Sequence, residues 1–189
     1  MPILVTAFGP FGGRAWNASS LVLHELRKTV PGIRTRILPV DSVIAPARLR
    51  QAILRIRPSA LIMLGEAEGS PAIRLETTAW NMKDFNIPDI AGRKPQGVRI
   101  RTGAADSMAS TLPLAEIRAH LEDKGHGVSF SDDPGRYLCN QLFFSAMDFL
   151  GENAIPIPAG FIHLPLESDF PTTLATQAIA EAVRVTLGQ

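Results

Sequence analysis

Three side chains in this sequence make up the set that acyl transfer uses. They are Cys139, the only cysteine in 189 residues, His163 and Glu76. An ionised thiol is a nucleophile, an imidazole can take and return its proton, and a carboxylate can hold that imidazole in one tautomer. Cys139 lies in "DDPGRYLCNQLFFSAMDFL", behind the Pro134-Gly135 break and ahead of an apolar run, so it falls at the mouth of an expected helix. A helix N-terminus and a nearby imidazolium would lower the thiol from about 8.5 to about 3.5–7.5. The unpaired N–H groups there would hold an oxyanion. Each residue also has a plainer reading. Cys139, flanked by Leu138 and Leu142, reads equally as a small buried hydrophobe. His163, between Ile162 and Leu164, reads as a satisfied core histidine, and Glu76 as an exposed strand carboxylate.

Other motifs point away from other chemistries. The turn "AFGPFGGRAWN" has no Lys-Ser/Thr after its glycines, and Gly9, Gly12 and Gly13 do not fit G-x-G-x-x-G, which argues against phosphate binding. Phe8 and Phe11 in that turn could wall a flat apolar pocket, or simply be core. The four histidines show no ligand spacing and there is no cysteine pair, so no metal or cofactor is expected.

Apolar runs of strand length alternate with helical patterns along the chain. Strands are expected at Ile3–Phe8, Arg34–Val40, Ala60–Gly69, Ala72–Trp80, "GVSFS" and "AGFIHLP". Helices are expected at "NASSLVLHELRK", with Asn17 or Ser19 as cap and Leu21, Val22 and Leu26 inward, and at "SVIAPARLRQAILRIR", with Ser42 as cap. Further helices follow at Leu112–Gly125, after Cys139, and at Thr172–Leu187. Asn81–Gly97 reads as a long loop, and such loops are usually functional or mobile. This alternation implies an α/β fold with a mostly parallel sheet and helices on both faces. Sites in such sheets lie beyond the carboxyl ends of strands, which is where "FGPFGG", Cys139 and His163 fall.

A chain of this length is expected to form one domain, residues 1–189. Its formal charge of +1 gives no footprint for nucleic acid or an anionic membrane. No apolar run approaches the roughly 20 residues of a membrane helix, and "MPILVTAFGPFGG" lacks the basic start of a signal peptide. With no internal disulfide available, a cytoplasmic location is expected.

The sequence resembles the pyroglutamyl-peptidase I family, also called pyrrolidone-carboxylate peptidases. "ILVTAFGPFGGRAWNAS" is similar to the family opening V-T-G-F-x-P-F-G-G…N-P-S, "PGRYLCNQLFF" to A-G-x-Y-V-C-N-x-x-F-Y, and "GFIHLPLESD" to G-F-I-H-x-P-x-x-P-E. "LPV" (Leu38–Val40), "GEAEGSPAIRLETTAWN" and "STLPL" (Ser110–Leu114) match further segments in order. The resemblance implies a three-layer α/β/α sandwich of the phosphorylase/hydrolase-like type. It implies a cysteine peptidase that removes an N-terminal pyroglutamyl residue from peptides with blocked N-termini. It makes Cys139 the nucleophile, His163 the base and Glu76 the orienting carboxylate, with Phe8, Phe11 and Asn17 in the substrate pocket. The family includes monomers and tetramers, so a homo-oligomer is compatible with it.

The sequence departs from the family pattern at the rim. Gly9 stands where the family has glutamate, and Ile90 where it usually has asparagine. The family's G-Q-A-G-G-R is here Gly65-Glu66-Ala67-Glu68-Gly69-Ser70, with an acid for a glycine and no arginine. Two other readings remain open on sequence grounds. One is a retuned or inactive relative that binds peptide N-termini, and the other is a nucleoside phosphorylase-like enzyme on the same sandwich.

Overall fold

Close to the start of the chain come six consecutive residues that are all shielded from solvent, β1 (Ile3–Phe8). In the computed structural model, which describes residues 1–188, β1 is an inner strand of a six-stranded sheet. The other strands are β2 (Arg34–Leu38), β3 (Ala60–Glu66), β4 (Ile73–Glu76), β7 (Val128–Ser131) and β8 (Ala159–Leu164), in the order β2-β1-β3-β8-β4-β7. Near-continuous apolar runs at β1, β3 and β8 occupy inner positions, because both faces of an inner strand are covered. The edge strands β2 and β7 are half-exposed, and β2 carries Arg34 and Arg36, which blunt an open edge. Four strand pairs are parallel and one, β4 with β8, is antiparallel.

Among the described residues, five helices cover the sheet: α1 (Ala18–Thr29), α2 (Ile44–Ile56), α3 (Leu114–Asp123), α4 (Leu138–Glu152) and α5 (Thr172–Thr186). Residues of α1, α3 and α5 share one core with Ile3, Val5, Ile62 and Ile162. Residues of α2 and α4 share the other with Leu4, Phe8, Met63 and Phe161. Period-two alternation along each strand thus feeds two cores, giving three layers. Among the described residues, no helix is long and apolar enough to cross a membrane.

The structure corrects several local expectations. Ala72–Trp80 is not one strand. It breaks at Thr77, whose N–H bonds Ser131 O and whose carbonyl accepts from Ser110 N. Beyond the break, β5 (Thr78–Trp80) pairs with a strand that sequence patterning does not signal, β6 (Ser107–Ala109). Asn17 caps α1 through its side-chain oxygen, and Leu23 rather than Leu21 joins Val22 and Leu26 in the core. Ser42 does not cap α2. Asp41 Oδ1 accepts from Val43 N and Ile44 N, both at 2.8 Å.

The Asn81–Gly97 loop is well anchored. Phe85 is fully buried, and Asp89 accepts from Ser42 N, Ser42 Oγ and Arg93 N. Burial alone would raise the Asp89 carboxyl. The hydrogen bonds from Ser42, Arg93 and Ala91 outweigh it and hold the group far below the ordinary carboxylate range.

Candidate active site

Alternation puts the three candidate groups on one face of the sheet. On β4, Ile73 and Leu75 enter the α1/α3/α5 core, so Glu76 points to the α4 side. On β8, Ala159 and Phe161 belong to the α2/α4 core, and His163 follows in the same phase. Cys139 is the second residue of α4, which packs on that face.

Glu76 and His163 meet directly. Glu76 Oε1 lies 2.7 Å from His163 Nδ1, and both side chains are buried, the carboxylate completely. Glu76 is therefore not the exposed strand carboxylate of its plainer reading. Arg74 Nε stands 3.4 Å from the same oxygen, and Arg74 also donates to Ser131 Oγ and to the Asp133 carbonyl. The Phe161 ring packs against the imidazole with centroids 4.8 Å apart. A bond from Nδ1 to the carboxylate leaves Nε2 as the proton acceptor.

A glycine relates the position of the thiol to this pair. Gly65 and His163 are register partners in the parallel β3–β8 pair, so their Cβ directions run side by side about 4.8 Å apart. A Cβ built on Gly65 would fall 2.8 Å from Cys139 Sγ and 2.8 Å from Phe161 Cζ. The sulfur occupies the space that any other residue at 65 would fill.

The start of α4 is held by Asn140, which is fully buried. Its Oδ1 accepts from Trp80 N at 2.7 Å, and its Nδ2 donates to the Trp80 and Met82 carbonyls, both at 2.8 Å. Tyr137 precedes the helix without a side-chain cap bond. The first intrahelical bond recorded at this end is Gln141 N to Tyr137 O. Among the described residues the N–H groups of Leu138, Cys139 and Asn140 have no backbone acceptor, which suits an oxyanion site.

A cleft of about 370 Å³ opens onto the sulfur, lined by Phe8, Phe11, Asn17, Glu66, Tyr137 and Cys139 among others. The predicted pocket residues and Cys139 therefore share one cavity, and Glu76 and His163 are not among the residues that line it. Phe11 stacks at a tilt on Tyr137, with centroids 5.8 Å apart, and Tyr137 meets Phe85 edge-on at 4.6 Å. Asn17 Oδ1 is spent on Ser19 N and Oγ, while its Nδ2 has no acceptor among the described residues. Glu66 accepts from the Ala18 N–H and pairs with Arg14, which also pairs with Glu68 at 3.0 Å. The one arginine lining the cleft is neutralised by two carboxylates, which disfavours a phosphate site and with it the phosphorylase reading.

The thiol does not titrate in the expected direction. Burial first, then the charges of Glu76 and Glu66, push it up to about 12, against a lowering contribution from its own backbone N–H.

The sequence singled out Phe8, Phe11, Asn17, Glu76, Cys139 and His163; the structure places Phe8, Phe11, Asn17 and Cys139 in one cleft and pairs Glu76 with His163. The sequence did not single out Tyr137, Asn140 or the Arg14–Glu66 pair. The departure at Glu66 was the available signal for the last of these. Nothing in the spacing of Asn140 and Trp80, 60 residues apart, marks their contact.

A family model described as pyroglutamyl peptidase matches residues 1–185. Over 167 residues the chain is 34% identical to pyrrolidone-carboxylate peptidase 2 of Caldanaerobacter subterraneus subsp. tengcongensis, covering 87% of this chain and 81% of the relative. It is 37% identical over 168 residues to the pyrrolidone-carboxylate peptidase of Gloeobacter violaceus, covering 87% and 82%. The fold superimposes on pyroglutamyl peptidase I from Bacillus amyloliquefaciens with a TM-score of 0.92 at 29% identity, covering 98% of this chain and 93% of the other. It matches the pyrrolidone carboxyl peptidase of Thermococcus litoralis with a TM-score of 0.93 at 31% identity, covering 99% and 93%.

Proposed function

The chain belongs to the pyroglutamyl peptidase family, and we propose that it hydrolyses the bond after an N-terminal pyroglutamyl residue with Cys139 as nucleophile, His163 as base and Glu76 as orienting carboxylate. The observation that carries this reading is the sulfur seated over Gly65, the register partner of a histidine whose other ring nitrogen bonds a buried carboxylate.

His163 Nε2 takes the thiol proton as Cys139 Sγ bonds to the pyroglutamyl carbonyl carbon. Glu76, itself paired with Arg74, fixes the imidazole and stabilises the imidazolium that forms. The oxyanion faces the open N–H groups at the start of α4, each such donor being worth about 3–4 kcal/mol in known cases. The C–N bond breaks as His163 returns the proton to the leaving amine. Water then attacks the thioester with His163 as base, releasing pyroglutamate and the thiol. Phe8 and Phe11 wall the lactam ring, and Asn17 Nδ2 donates to its carbonyl. We place the enzyme in the cytoplasm, where a lone thiol stays reduced.

A pocket that pairs the lactam's polar groups rejects proline, which lacks the ring carbonyl, by a large factor. The test compares pyroglutamyl and prolyl fluorogenic amides with the wild type and Cys139→Ala. Turnover of the pyroglutamyl substrate alone, lost without the thiol, is expected. Equal hydrolysis of both substrates, or activity that survives Cys139→Ala, overturns the assignment.

A further inference from the structure

We propose that the cleft continues past the thiol into an acidic subsite for the departing peptide, built by Trp16, Leu166 and Glu167, which favours cationic residues after the pyroglutamyl group. The proposal rests on the pyroglutamyl reading above and assigns the rest of the substrate.

Three observations carry it. A second cavity of about 380 Å³ is lined by Arg14, Trp16, Glu66, Leu166, Glu167 and Ser168. Arg14 and Glu66 also line the thiol cleft, so their ion pair is a wall common to both cavities. The direction of exit follows from the chemistry. The leaving nitrogen takes its proton from His163 on β8, so the chain after it must pass the imidazole. Phe8, Phe11 and Tyr137 line the part of the cleft that the lactam ring takes in the reading above, with Phe11 stacked on Tyr137. Past the imidazole, Leu164 pairs in register with Glu66 and accepts a hydrogen bond from Ala67 N, and Leu166–Ser168 follow directly. The second cavity adjoins the thiol cleft at Arg14 and Glu66 and is lined by the segment that follows β8, which is where we place the leaving chain.

Its chemistry suits a cation. Glu66, Glu68 and Glu167 stand against the single Arg14 at this rim. Arg14 is already shared between Glu66 and Glu68, and Glu167 has no ion pair among the described residues. Trp16 is 54% exposed, so its indole face is open to a side chain in this cavity. A lysine or arginine side chain would lie over the indole face and reach Glu167. Glu68, which stands where the family pattern has glycine, adds to the same field.

The test measures kcat/KM at 0.15 M salt for pyroglutamyl-Lys-Lys-alaninamide and pyroglutamyl-Glu-Glu-alaninamide, using wild type, Trp16→Ala and Glu167→Lys. The expected result is a preference for the lysyl peptide of about three- to tenfold, mostly in KM, since exposed ion pairs and cation–π contacts are modest. Trp16→Ala should reduce that ratio, and Glu167→Lys should abolish or invert it. Equal cleavage of the two peptides overturns the subsite and leaves the pyroglutamyl reading standing. So does a preference that neither substitution changes. If neither peptide is cleaved and pyroglutamyl fluorogenic amide is inert too, both readings fall.

Discussion

Gly65 shows how one missing side chain makes room for a nucleophile. A methyl group at 65 would lie 2.8 Å from both the Cys139 sulfur and the Phe161 ring, far inside van der Waals contact. Gly65→Ala should displace the thiol from the imidazole and lower kcat/KM by about 100-fold, since misplacement by about 1 Å costs that much. Steady-state kinetics on a pyroglutamyl amide checks it, and a wild-type kcat/KM would refute the packing argument. Glu66 acts on the same sulfur by charge. Its carboxylate helps hold the thiol up, so removing the charge must lower the thiol pKa. Glu66→Gln keeps an oxygen for the Ala18 N–H, and its iodoacetamide inactivation profile should move to lower pH than that of the wild type. A profile that stays put, or moves to higher pH, would show that Glu66 does not control the thiol.

At the scale of elements, the site depends on segments that carry no chemistry. Asn140 ties the first turn of α4 to residues 80–82, and Gln141 Nε2 donates to the Ser42 carbonyl at 2.7 Å. Asp89 closes the same region by binding Ser42 and Arg93. Its folded pKa lies far below the unfolded value near 3.9, so the unfolded chain binds more protons between the two. The stability it contributes is complete above about pH 5 and is lost as pH falls through the acid range. Asp89→Asn should cost about 2–3 kcal/mol at pH 7, with the gap to wild type narrowing toward pH 3. Urea unfolding at both pH values measures this, and a gap that does not change with pH would exclude the linkage.

At the scale of the molecule, the two cores lie on opposite faces of the same central strands, and α5 near the C-terminus packs in one core with α1 near the N-terminus. We therefore expect one cooperative thermal transition, seen together by fluorescence and circular dichroism. Two separated transitions would divide the chain into two domains. Ligand binding should raise that single midpoint. With Cys139→Ala and a pyroglutamyl peptide at 100 times its Kd, the gain of about 2.7 kcal/mol corresponds to about 5–10 °C. A prolyl peptide at the same concentration should give no shift.

The strands Ile3–Phe8, β3 and β8, the helix after Cys139 and the layered α/β class were legible in sequence because burial imposes a local period. Cys139, His163 and Glu76 were legible as a chemical set, and their family pattern supplied their roles. What the sequence could not determine was who touches whom across long separations. The burial of Glu76 against an imidazole 87 residues away, the break at Thr77 that starts β5, and the Asn140 link to Trp80 all arise from register and packing. The direction of the thiol shift belongs with them. A helix N-terminus is visible in a sequence, whereas desolvation and the approach of two carboxylates exist only once the chain has closed around the sulfur.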